Sequence, residues 1–224
     1  MFAGCSSLEE ITFSSSITGM NSMAFYCCPL KKVVIPSTIK YMAWDAFLYC
    51  DKLTEFVIQD SDEELGVWSA DGDGDLTNLK TLYLGRNLNY IDDDIMTHLN
   101  PSQLTIGPKV TNIPNIFGNG IQEITSYIVD PTSVPENFSN KVKANATLKV
   151  LPNSYDAYCN APGWKDFFFI EKFTEGGDTD GIEAVEGAAV STSASQRFYN
   201  LKGQRVNTPV KGIYIKNGRK VLVK

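Results

Sequence analysis

The segment Phe2-Ala3-Gly4-Cys5-Ser6-Ser7-Leu8-Glu9-Glu10-Ile11-Thr12-Phe13 returns over residues 25–35 and again over 47–58, a spacing of about 22 residues. A repeat of that length constrains the fold more than any other feature of the chain. One unit cannot bury its own apolar face, so successive units must stack and share a core. Such a stack presents a long, shallow flank and no enclosed cleft.

Aligning the repeats on their central apolar residue gives Ile11, Val33, Phe56, Leu82, Leu104, Ile124 and Leu148, with separations of 22, 23, 26, 22, 20 and 24. Three residues before this position stand Leu8, Leu30, Leu53, Leu79 and Ile121. Two residues after it stand Phe13, Ile35, Ile58, Leu84, Ile106 and Val150. Alternation about the centre is the period of a short strand with one buried face. Four residues beyond Phe13, Ile35, Leu84 and Ile106 come Ile17, Ile39, Leu88 and Val110, and three further on come Met20, Met42, Ile91 and Ile113. The chain therefore turns inward a second time in each unit. Pro36, Gly85, Gly107 and Pro108 bend it between the two inward points. Residues 60–75 read as an insertion in the third unit.

The residues Phe2-x-x-Cys5-x-x-Leu8-x-x-Ile11, Ala24-Phe25-x-x-Cys28, Val33-x-Ile35-Pro36-Ser37, Ala46-Phe47-x-x-Cys50-x-x-Leu53 and Leu82-Tyr83-Leu84-Gly85-Arg86-Asn87 resemble the BspA-like leucine-rich repeat family. That family is found on surface and secreted proteins of Bacteroidetes and some other host-associated microbes. The resemblance covers residues 1 to about 173, strongly to 113 and weakly beyond. Two departures are the second repeat, one residue short between Cys28 and Leu30, and the third repeat's insertion. The expected fold is mainly β: a right-handed leucine-rich-repeat solenoid of about seven rungs over residues 1–173, a flexible linker over 174–181, and a small C-terminal β unit over 182–224.

Residues 148–173 read as the last rung plus a cap. Ser154 is the expected N-cap of a short helix through Tyr158, Pro162-Gly163 breaks the chain, and Trp164, Phe167, Phe168 and Ile170 supply bulk over the open end. Thr174 to Gly181 contains no apolar residue. Beyond it, strands are legible over 197–201, 204–206, 213–216 and 219–223, the last two flanking the hairpin signal Asn217-Gly218. Tyr199-Asn200-Leu201-Lys202-Gly203-Gln204-Arg205-Val206 and Lys211-Gly212-Ile213-Tyr214 are similar to the Bacteroidetes secretion and sorting module, which implies export through the type 9 pathway.

Charge and motif content narrow the function. Residues 1–180 hold 12 Lys and Arg against 24 Asp and Glu, and residues 181–224 hold 8 against 2. An acidic body repels nucleic-acid phosphates, and the basic tail lacks a nucleic-acid motif. No run approaches the ~18 apolar residues of a membrane span. Because Met1 stands where a repeat is already under way, the chain reads as the C-terminal fragment of a longer protein.

Candidate chemistry is sparse. Cys5, Cys28 and Cys50 recur at one repeat position, as buried free thiols, with a disulfide involving Cys27 or a metal site as the alternatives. His98 is the one histidine and has no partner for zinc. Asp71, Asp73 and Asp75 open like a calcium loop, but Leu76 and Leu82 stand where that loop needs Gly and Glu. The bland alternative is a solvated turn. No Gly-x-Ser-x-Gly elbow, phosphate loop or histidine base is present, and Asp92-Asp93-Asp94 reads as a solvated run, so no catalytic residue, cofactor or firm metal site is expected.

The strand face remains. One outward row is Glu10, Lys32, Glu55, Thr81, Gln103 and Glu123; the next is Thr12, Val34, Val57, Tyr83, Thr105 and Thr125. Alternating sign from Glu10 to Glu55 favours rung pairing without a ligand. Val34, Val57 and Tyr83 form an apolar and aromatic stripe, either a partner contact or a consequence of β-propensity. The expected function is protein-protein contact or adhesion by an exported, surface-exposed, non-catalytic protein whose partner lies on a host or neighbouring cell. A structural spacer and a carbohydrate-binding surface are the alternatives.

Overall fold

The computed structural model describes residues 2–68, 76, 78–90 and 99–173, together with five strands farther along the chain. The chain divides into two compact units, Met1–Phe173 and Thr174–Lys224.

The first unit is built from two parallel sheets. In chain order its strands are β1 (Gly19–Met20), β2 (Lys32–Ile35), β3 (Tyr41–Ala43), β4 (Glu55–Ile58), β5 (Leu65–Trp68) and β6 (Thr81–Leu84). There follow β7 (Leu88–Tyr90), β8 (Gln103–Ile106), β9 (Glu123–Ser126), β10 (Thr147–Val150) and β11 (Phe169–Lys172). The wide sheet runs β11-β10-β9-β8-β6-β4-β2, and the narrow one runs β1-β3-β5-β7. Each unit after the first thus contributes one strand to the wide sheet, and the first four units supply the strands of the narrow one. Parallel sheets with few helices are the architecture expected of a repeat solenoid.

Register follows the repeat. Val33, Phe56, Leu82, Leu104, Ile124, Leu148 and Ile170 stand opposite one another across the wide sheet. The first six are buried, and with Met20, Met42 and Val67 of the narrow sheet they belong to one continuous core. Along β2, β4, β6, β8, β9 and β10 buried residues alternate with half-buried or exposed ones, as a period-2 apolar pattern requires.

Three expectations change here. Residues 8–13 form no strand; Leu8, Ile11 and Phe13 pack on the core half-buried, and Thr12 is exposed. The seventh strand is β11, so Ile170 extends the sheet and does not cap it. Within the stretch read as an insertion, Leu65 and Val67 are buried in β5, between β3 and β7. The spacing from Ile58 to Leu65 is longer than in the other units, which hid this strand from an alignment at fixed offsets.

At the corner between units, Phe2, Phe25 and Phe47 stack with centroids 5.6 and 5.5 Å apart and planes within 7°. The residue before each repeated cysteine lies in the left-handed region: Gly4 (φ 74°), Cys27 (φ 58°) and Tyr49 (φ 58°). Glycine adopts this conformation freely, whereas Cys27 and Tyr49 hold it at a cost of roughly 1–2 kcal/mol each. The cost is offset by what the turn positions. The thiol of Cys28 donates to the Phe2 carbonyl (3.0 Å) and that of Cys50 to the Phe25 carbonyl (3.2 Å), one unit back. Burial pushes the Cys50 thiol up to about 11, so it stays a protonated donor at neutral pH. All five cysteines are free thiols; Cys28 and Cys50 are buried as expected, and Cys5 is exposed.

The C-terminal end of this unit is closed by aromatic packing. Trp164 is fully buried, donates from Nε1 to the Val134 carbonyl (2.8 Å) and meets Tyr158 edge-on at 5.1 Å. Phe138 and Phe167 complete the cluster. The helix α2 (Tyr155–Asn160) starts after Ser154 as expected, but the Ser154 side chain makes no capping bond. A helix α1 (Asn140–Asn145), capped by the Ser139 hydroxyl on Val142 N, was not legible beforehand. Phe168 and Phe169 do not cover the end: they are 77% and 46% exposed, because they flank and open the edge strand β11.

The second unit contains β12 (Glu183–Val185), β13 (Phe198–Tyr199), β14 (Arg205–Val206), β15 (Gly212–Lys216) and β16 (Arg219–Val223), in the order β12-β16-β15-β13-β14. β15 and β16 form the expected antiparallel hairpin, in register down to Lys216 opposite Arg219. The turn residues 217–218 and the segment 174–181 lie outside the described residues.

Candidate functional site

The outward row of the wide sheet is assembled by the same register that builds the core. Val34 stands opposite Val57, Val57 opposite Tyr83, Tyr83 opposite Thr105 and Thr105 opposite Thr125. Val34, Val57 and Tyr83 are therefore in file on adjacent strands, each half-buried. Neighbouring side chains along a parallel sheet lie ~4.8 Å apart, so the three form one continuous patch.

Over part of this row lies a depression of about 730 Å³, lined by Glu55, Val57, Gln59, Asp60, Tyr83 and Thr105 among others. Its lining comes from β4, β6, β8 and the two residues after β4. A wall made by one sheet suits a side chain offered by a macromolecule better than a free small molecule, which needs burial on most sides.

Asp60 was not singled out by sequence, yet it organises this place. The Tyr83 hydroxyl donates to its carboxylate, at 2.9 and 3.0 Å from the two oxygens. Burial and the adjacent Asp60 charge both raise the Tyr83 pKa, so the phenol remains the donor. Two glycines make the approach possible. A Cβ on Gly85 would lie 2.5 Å from the Asp60 N and Ile58 O backbone atoms, and one on Gly107 would lie 2.4 Å from Asp60 Oδ1. Glycine at both strand ends was the one available sequence signal for this close approach.

Ion pairs flank the patch. Lys32 pairs with Glu55 on the neighbouring strand, Lys109 with Asp62 (2.7 Å), Lys40 with Glu63 (3.2 Å) and Lys149 with Glu123 (2.6 Å). Glu10 does not continue the alternation; the Lys31–Glu9 pair (2.5 Å) takes that place. Exposed pairs of this kind are screened by water and salt and add little to stability.

Arg86 was legible only as part of the repeat motif. It is fully buried and donates from Nη2 to the Pro36 carbonyl (2.9 Å) and from Nη1 to the Ser37 carbonyl (3.3 Å). Burial lowers its pKa, with the Glu63 charge opposing. It fastens the turn after β6 to the turn after β2 and is structural. Asp71, Asp73, Asp75, Asp92, Asp93, Asp94 and His98 lie outside the described residues. Among the described residues no helix is long and apolar enough to cross a membrane.

Residues 1–70 match the BspA type leucine-rich repeat region (6 copies). The matched segment holds β1 to β5, the phenylalanine stack and the repeated cysteines, and it includes Val34 and Val57 of the outward row. No curated protein matches the chain. Leucine-rich repeats suggest a role in protein-protein interaction and are typically non-catalytic.

Proposed function

We propose that this chain is a non-catalytic, exported, cell-surface protein that binds another protein along its strand face, in adhesion to a host or neighbouring cell. The observation that carries the reading is the in-register file of Val34, Val57 and Tyr83 on the solvent side of a sheet whose other side is core. Apolar and aromatic residues gathered in one exposed place mark contact sites more often than scattered ones do. The repeat match over residues 1–70 supports a protein partner.

The proposed coil is right-handed with about seven rungs: parallel neighbours joined by crossover connections favour that hand, and the seven strands of the wide sheet support that number. Export from a Bacteroidetes cell rests on the resemblance of the C-terminal module to a sorting domain.

The test is the triple variant Val34→Ser, Val57→Ser, Tyr83→Ser, compared with the wild type by biolayer interferometry against purified extracellular proteins and a glycan array. The expected result is wild-type binding to a protein, weakened at least about tenfold in the variant while the circular dichroism spectrum is retained. Unchanged protein binding in the variant rejects the surface. Silence in both panels favours a spacer, and glycan binding alone favours carbohydrate recognition.

A further inference from the structure

We propose that the depression over β4, β6 and β8 is a subsite for one basic side chain, lysine or arginine, of the protein that docks on the strand face. Asp60 is its counter-ion, and Val57 and Tyr83 are the floor for its aliphatic stem. This rests on the strand-face reading above and adds the chemistry of the partner's anchoring residue.

Charge complementarity carries the assignment. Between residues 51 and 64 the chain holds six acidic residues against the single base Lys52. Three of those acids already have cations: Glu55 has Lys32, Asp62 has Lys109 and Glu63 has Lys40. Asp60 forms no ion pair among the described residues, and it lines the depression. Lys109 lies near enough to feel the Asp60 charge, but its bond is to Asp62.

The carboxylate is held ready. One phenolic proton from Tyr83 is shared between its two oxygens, which leaves most of its acceptor positions open to a further donor. Gly107 clears the space in which it sits. A lysine or arginine is apolar along its stem and cationic at its tip. Laid across Val57 and the Tyr83 ring, it places the stem on apolar surface and the head within reach of Asp60, with the ring face adding attraction for the cation. A partner offering a neutral or acidic group here would cover Asp60 without pairing it, which costs affinity.

The experiment titrates the ¹⁵N-labelled full chain with the peptide acetyl-Thr-Val-X-Val-Thr-amide, where X is arginine, lysine, norleucine or glutamate, and with neutral oligosaccharides. The arginine and lysine peptides are expected to move the amide signals of Val57, Asp60, Tyr83 and Thr105. They should bind about fivefold more tightly than the norleucine peptide, the size of a partly screened charge pair. The difference should shrink with added salt and vanish in Asp60→Asn, whose amide oxygen still accepts from Tyr83 and whose amide fingerprint reports the fold. Equal binding of the arginine and norleucine peptides overturns the subsite and leaves the strand-face reading to the triple variant. Movement of these signals by oligosaccharides or the glutamate peptide but not by arginine overturns it too, as does no movement with any peptide.

Discussion

Trp164→Ala is expected to lower the stability of the unit Met1–Phe173 by about 4 kcal/mol, in the range of buried tryptophan truncations. The ring is fully buried against Tyr158, Phe138 and Phe167, so its removal opens a cavity at the point where the core would otherwise end in water. It also leaves the Val134 carbonyl without its donor, and that unpaired buried acceptor accounts for about 1 kcal/mol of the loss. Trp164→Phe restores an aromatic ring but not the indole N–H, and should recover roughly half of the loss. The measurement is guanidinium unfolding followed by far-ultraviolet circular dichroism. A loss below about 1 kcal/mol for the alanine variant would mean that these aromatics do not close the core.

Gly85→Ala is the second large effect, expected at about 3 kcal/mol, the upper end of overpacking costs. The added methyl would sit 2.5 Å from Ile58 O and Asp60 N and 2.6 Å from Gln59 C, all backbone atoms of the preceding unit. Backbone cannot swing aside, so β4 and β6 must part and the Gly85 N to Ile58 O bond (2.8 Å) must lengthen. Gly107→Ala is the informative control. Its nearest neighbour is the end of the Asp60 side chain, which can rotate away, so it should cost less than half as much while loosening the Asp60–Tyr83 contact. Thermal melts of the two variants side by side check the order, and an equal loss in both would contradict it.

The part of the fold that was legible in the sequence is the part fixed by period and spacing. Val33 and Ile35, Phe56 and Ile58, and Leu82 and Leu84 alternate with half-buried neighbours, and a pleated strand with one dry face turns that alternation directly into burial. The order of strands in the wide sheet then follows from stacking one unit on the next. Leu65 and Val67 escaped because their strand is displaced along the chain by a longer connection, and a fixed offset cannot see a strand that keeps its place in space but not in sequence. Ile11 misled in the opposite sense: its residue pattern matches the repeat, yet no ladder forms along residues 8–13. In the sequence Phe168 and Ile170 resemble cap residues, because bulk near the end of an array resembles a lid. Pairing with β10 instead uses this segment as one more strand, which leaves Phe168 facing water.

Of the candidate surface, the row itself was legible and its chemistry was not. Val34, Val57 and Tyr83 share one repeat position, so their alignment needs only the register. The Asp60–Tyr83 bond joins residues 23 apart at different repeat positions, and the Arg86 bonds to Pro36 and Ser37 span about two units. Contacts of that kind depend on the pitch and turn of the coil, which no single position in the sequence encodes.

The claim on which the rest depends is that successive units stack in register, with Val34, Val57, Tyr83 and Thr105 in one outward file and Val33, Phe56, Leu82 and Leu104 in one inward file. Nuclear Overhauser contacts in solution between side chains of adjacent units test it directly. Cross-peaks are expected from Val34 to Val57 and from Val57 to Tyr83, consistent with steps of ~4.8 Å, with a separate chain of cross-peaks from Val33 through Phe56 to Leu82. Cross-peaks that instead join Val34 to Phe56, or Val57 to Leu82, with the outward series missing, would mean a register shifted by one residue and would contradict the account.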